Sequence, residues 1–78
     1  MTRKLRDIAG KDAIKAFQRA GGLLLPGGKG DHTNIKMPNG QLITIPGQKE
    51  LKTGLLMNAI KKAGLTTEEF AMLLKGRR

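Results

Sequence analysis

One histidine, His32, is the only imidazole in this chain of 78 residues, and there is no cysteine, tyrosine or tryptophan. Any proton transfer near neutral pH therefore falls first to His32, because imidazole is the side chain that gains and loses a proton in that range unaided. Lysines or carboxylates would need large pKa shifts to do the same work. His32 follows Lys29-Gly30-Asp31 at an expected loop-to-strand junction, in a chain with 15 basic and 6 acidic residues and a formal charge of +9. A field of that sign attracts polyanions: nucleic acid, an acidic protein or an anionic membrane surface. The residues pose a choice between a one-histidine nuclease and a basic binding module. A polar strand residue beside a turn is the plainer reading of His32.

Other chemistries find little support. Without cysteine there is neither a disulfide framework nor a zinc finger, and one histidine with scattered carboxylates makes no metal-ligand cluster. No Ser-His-Asp or Cys-His set can be assembled. Asp31 precedes His32 directly, so on a strand the two side chains would point to opposite faces. Phe17 and Phe70 are the only aromatic residues and both fall at core positions, which leaves no stacking platform for single-stranded bases. Phosphate contact and shape are then the expected modes of nucleic-acid recognition. Lys29, Gly30, Lys36, Lys49 and Lys52 cluster around His32 in the expected layout and form the candidate RNA-binding set. Lys11, Lys15 and Arg19 recur every four residues as a separate basic stripe, read as exposed. No apolar run reaches membrane-spanning length and the N-terminus lacks a signal-peptide pattern, so a cytoplasmic location is expected.

The elements that must carry these residues follow from pattern. A basic lead-in covers residues 1–9. Ala13, Ile14, Phe17 and Ala20 lie at helical spacing, and Gly21-Gly22 ends that helix. Leu23-Leu24-Leu25 reads as a short strand closed by Pro26, and Gly27-Gly28-Lys29-Gly30 as a flexible loop. Asp31 to Met37 and Gln41 to Ile45 alternate. A two-residue turn at Asn39-Gly40 would split the isoleucines between both faces. A three-residue loop pairs Ile35 with Ile43 and Thr33 with Ile45, and puts all three isoleucines on one face. His32, Asn34 and Lys36 then face away from the core. Leu55, Leu56, Ala59, Ile60 and Ala63 mark a second helix over about Thr53 to Ala63. Thr66 and Glu69 have capping-box spacing before a short third helix carrying Phe70, Leu73 and Leu74. The expected class is α+β: helix, three-stranded antiparallel sheet, helix and a short C-terminal helix, in one domain over residues 1–78 with a basic tail at 76–78.

Gly21-Gly22-Leu23, Lys29-Gly30-Asp31-His32, Ile43-Thr44-Ile45-Pro46, Glu50-Leu51-Lys52-Thr53-Gly54-Leu55, Ala63-Gly64-Leu65-Thr66 and Glu69-Phe70 occur in this order. The ordered set resembles HicA-type toxins, small RNA-cleaving proteins of bacterial type II toxin–antitoxin systems, over about Gly10 to Leu74. The resemblance implies a fold like a double-stranded-RNA-binding domain. It also implies ribosome-independent cleavage of messenger RNA and neutralisation by a HicB-type antitoxin whose N-terminal domain covers the active face; with no ligand cluster in the sequence, no cofactor is expected. The family's single catalytic histidine stands in a Gly-Ser-His motif that falls on Gly30-Asp31-His32, so the resemblance implies that role for His32. The chain departs in three places. Asp31 replaces the serine and sets a negative charge beside an incoming phosphate. Pro26-Gly27-Gly28 shortens the first strand. Gly47-Gln48 stands where relatives often carry a basic residue or histidine. The runner-up reading is an inactive RNA-binding domain of the same fold, and a third is a basic protein whose ligand is an acidic partner.

Overall fold

The computed structural model describes residues 7–27, 30, 32–47 and 50–76. The chain runs α1 (Gly10–Arg19), β1 (Leu23–Leu25), β2 (His32–Lys36), β3 (Leu42–Pro46), α2 (Thr53–Lys62) and α3 (Thr67–Leu74), in the expected α+β order. The strands form an antiparallel sheet in the order β1-β2-β3, with β2 central.

The β2–β3 register is the one that the isoleucines demand. Ile35 pairs with Ile43 and Thr33 with Ile45, and the three isoleucines are buried. The link is the bulged three-residue loop: Met37 N–H donates to the Gln41 carbonyl at 2.8 Å, Gly40 N–H donates to the Met37 carbonyl at 2.9 Å, and Gly40 takes φ +89°. A left-handed conformation at that point suits glycine, which has no Cβ to clash.

The helices cover the isoleucine face. Phe17 of α1 meets Phe70 of α3 with ring centroids 4.8 Å apart and a 46° tilt, a favourable aromatic arrangement. Both rings are fully buried, among Ala13, Ala16, Leu56, Ile60 and Leu73. Ile14, Ala20 and Leu74 are only partly buried at its margin. Thr66 and Glu69 form the expected capping box: Glu69 N–H donates to Thr66 Oγ1 at 3.0 Å, and Thr66 N–H to Glu69 Oε1 at 2.8 Å.

Helix α1 ends in a Schellman motif. Gly21, at φ +99°, donates its N–H to the Gln18 carbonyl, and Gly22 N–H reaches the Phe17 carbonyl, both at 2.9 Å. A Cβ on Gly22 would lie 2.7 Å from Ile35 Cγ2, so this glycine permits α1 to turn closely over β2.

Three readings need correction. Arg19 does not belong to a solvated stripe with the exposed Lys11 and Lys15. It is partly buried, and its Nη1 donates to the Leu73 carbonyl at 2.6 Å, satisfying the end of α3. Leu55 was expected in the core but is 37 % exposed, lining a shallow pocket beside Leu42 and Thr44 of the edge strand β3. Residues 48–54 read in sequence as a basic connection or first helical turn, yet Leu51 is buried, and its N–H donates to the Ile8 carbonyl at 2.7 Å. That bond also draws the end of the lead-in into the fold.

Candidate functional site

The sheet has one covered and one open face. Directly paired residues in antiparallel strands share a face. The open face therefore carries His32, Asn34 and Lys36 on β2, Leu23 and Leu25 on β1, and Leu42 and Thr44 on β3. Leucine is exposed at all three of these positions, most of all Leu23 at 67 %. The face is an apolar-edged surface with a polar central strand.

His32 is exposed at the first position of β2, opposite Pro46. This end of the sheet leads into the segments before β2 and after β3. Gly30 is exposed with φ +56°, and a Cβ there would meet nothing within 4 Å. The glycine thus serves the backbone turn and not close packing within the chain. Lys52 is exposed at the N-cap position of α2. Neither Lys52 nor Ala9, the N-cap residue of α1, makes a side-chain capping bond. The Leu51–Ile8 bond joins the approaches to these two helix starts. A helix start carries partial positive charge.

Lys36 is exposed on the same face as His32 but at the other end of β2. Four residues at about 3.3 Å each separate their Cα atoms by about 13 Å. Lys29, Lys49 and Asp31 lie outside the described residues. Among the described residues no group of three histidine, cysteine or acidic side chains stands together for a metal ion. No described helix is long and apolar enough to cross a membrane.

One pair on this face went unremarked in the sequence. Thr44 Oγ1 donates to Asn34 Oδ1 across β2 and β3 at 2.7 Å. The signal was present in the register, which sets Asn34 opposite Thr44.

The fold and face define a class: a small basic α+β protein with a lone histidine on an open, solvent-facing sheet. The family model described as "HicA toxin of bacterial toxin-antitoxin" matches residues 10–65, more than two thirds of the chain. The chain belongs to the HicA toxin family. The match takes in the whole sheet and α2 and stops short of α3, although the ordered motifs run on through Glu69-Phe70. No curated protein matches the sequence.

Proposed function

We propose that this chain is the toxin of a type II toxin–antitoxin pair and acts as a ribosome-independent endoribonuclease on messenger RNA, with His32 as the catalytic residue. The observation that carries the reading is the position of His32. The only imidazole of a +9 chain stands exposed on an open face, in a family of toxins.

RNA contains its own nucleophile, so the protein needs to supply little. The 2′-oxygen attacks the adjacent phosphorus, the bond from phosphorus to the 5′-oxygen breaks, and the products end in a 2′,3′-cyclic phosphate and a 5′-hydroxyl. Two proton transfers are required, one from the 2′-hydroxyl and one to the departing oxygen. His32 performs one and water the other. Lys29, Gly30, Lys36, Lys49 and Lys52 form the RNA-binding set. Lys29 or Lys36 stabilises the negative charge that develops on the phosphate. The partner is a HicB-type antitoxin with an acidic surface, which covers the face bearing His32, Asn34 and Lys36, with Leu23, Leu25 and Leu42 as apolar anchors. The action is cytoplasmic, in one domain spanning the chain.

The test is cleavage of a labelled messenger RNA by wild type and His32→Ala. The substitution is expected to abolish cleavage and growth arrest and to leave most RNA affinity, since phosphate contacts come from lysines. An exposed strand residue contributes little to packing, so the melting temperature should hold. DNA of the same sequence should stay intact because it lacks the 2′-hydroxyl. Full cleavage by His32→Ala would sink the assignment. RNA binding without cleavage by wild type, weakening with salt, would instead identify the silent binding domain.

A further inference from the structure

A histidine can move a proton, but the negative charge that builds on the phosphate oxygens during cleavage needs a hydrogen-bond donor aimed at it. Lys36 stands at the other end of β2, its ammonium carried on a long flexible stem. The residue of the open face nearest to His32 along β2 is Asn34. The two are two positions apart, so their side chains project to the same side with Cα atoms about 7 Å apart.

Asn34 is also held. Its Oδ1 accepts the hydroxyl of Thr44 at 2.7 Å. That bond uses the acceptor half of the amide and fixes the plane of the group. The donor half, Nδ2, has no hydrogen-bond partner among the described residues and is left for a ligand. A short polar side chain locked by its neighbour across the strand loses little freedom on engaging a phosphate, which is the condition for a donor to act in a transition state.

We propose that Asn34 is a second catalytic residue, donating from Nδ2 to a non-bridging oxygen of the phosphate on which His32 acts, and that Thr44 is its positioning residue. The proposal rests on the reading of His32 given above. The amide neither gains nor loses a proton. It stabilises the charge on the five-coordinate phosphorus while the 2′-oxygen bonds to it and the 5′-oxygen leaves.

Single-turnover cleavage of one RNA by wild type, His32→Ala, Asn34→Asp, Asn34→Ala, Thr44→Val and the double variant Asn34→Ala/Thr44→Val tests both layers. Asn34→Asp keeps an acceptor for Thr44 and replaces the donor with a carboxylate oxygen. Losing one such donor costs about 100–1000-fold in a site closed to water, and an open face should lie near or below the low end. The expected result is a fall of about 10–100-fold in the cleavage rate for both Asn34 variants, with the larger loss in Asn34→Asp. RNA affinity should hold in Asn34→Ala. Thr44→Val should lower the rate by a smaller factor and should add nothing in the Asn34→Ala background. An exposed cross-strand pair contributes little to stability, so every variant should fold, and a thermal melt checks this. A purely structural pair would shift the melt and leave the rate alone. Wild-type rates in both Asn34 variants, with His32→Ala inactive, overturn the role of Asn34 alone. A further loss from Thr44→Val without Asn34 overturns the positioning role. Absence of cleavage by wild type, or full cleavage by His32→Ala, overturns the underlying reading as well.

Discussion

Replacing Gly22 with alanine adds one methyl group where three atoms already stand. The new Cβ would lie 2.7 Å from Ile35 Cγ2, 2.8 Å from the Phe17 carbonyl oxygen and 2.9 Å from Met37 Sδ. Comfortable carbon contacts begin near 3.5 Å, so every neighbour must give way by more than half an ångström. None can do so cheaply. Ile35 is fully buried and Met37 nearly so, and the Phe17 carbonyl is held by the Gly22 N–H itself. Overpacking of this kind costs about 1–3 kcal/mol, and a fixed backbone atom among the three puts Gly22 at the upper end. Alanine restricts the unfolded chain and returns about 0.4–1 kcal/mol, leaving a net loss of about 2 kcal/mol. A domain of this size shifts by about 4–8 °C per kcal/mol, so the melting temperature should fall by roughly 8–16 °C. Circular dichroism at the helix band reads it directly. Gly54→Ala is the internal control. Gly54 is the second residue of α2, a Cβ there meets nothing within 4 Å, and its φ is not in the left-handed region. It should gain up to about 1 kcal/mol from helix propensity. A Gly22→Ala protein melting within about 3 °C of wild type, under 1 kcal/mol, would refute the reasoning. So would two glycine variants that shift by the same amount in the same direction.

Ile43→Ala should cost about 2–5 kcal/mol, since Ile43 is 2 % exposed in the sheet's covered face, and a urea titration with little change in midpoint would contradict that burial. Arg19→Ala removes the guanidinium donor from the Leu73 carbonyl, a partly buried charge-assisted bond, and should lower stability by about 1.5–3 kcal/mol. Lys15→Ala, on an exposed turn of the same helix, should stay within about 0.5 kcal/mol. Thr66→Ala breaks the capping box of α3 and should cost about 1 kcal/mol, seen as faster amide exchange confined to that helix. Association with the antitoxin should slow as salt is raised, and amide shifts on binding should map to His32, Asn34 and Lys36; shifts confined to α1 and α3 would place the partner elsewhere.

What could be read from the sequence were patterns that repeat within a few residues. Ile35, Ile43 and Ile45 select one register of the hairpin because a slip by one residue would turn them outward. The helix end at Gly21-Gly22 and the capping box at Thr66 are equally local. Relations across the fold escaped. Arg19 meets a carbonyl 54 positions away, and nothing near Arg19 marks it as different from Lys15. Leu55 fits the apolar spacing of α2, yet it lies in the open pocket along the edge strand β3. The bond from Leu51 to Ile8 joins two stretches without periodicity. At the site, the alternation along β2 put His32, Asn34 and Lys36 on one side. The join between Asn34 and Thr44 emerged only with both strands in place.

The hairpin turn between β2 and β3 is bound on two sides. The Pro38 ring sits where a Cβ on Gly21 would come within 2.9 Å of it, and Asn39 holds the Gln41 N–H at 3.0 Å with its oxygen and the Lys62 carbonyl at 3.1 Å with its nitrogen. The ends of α1 and α2 are thus pinned to one tip of the sheet. At the opposite tip, Gly27 and Gly30 look into open space. Mutation meets these two tips differently. An inserted or enlarged residue at the pinned tip disturbs two helices at once, whereas at Gly27 and Gly30 a side chain would meet no neighbour and only the positive φ of each resists it. Packing therefore constrains sequence at one end of the sheet, and backbone conformation alone at the glycines of the other.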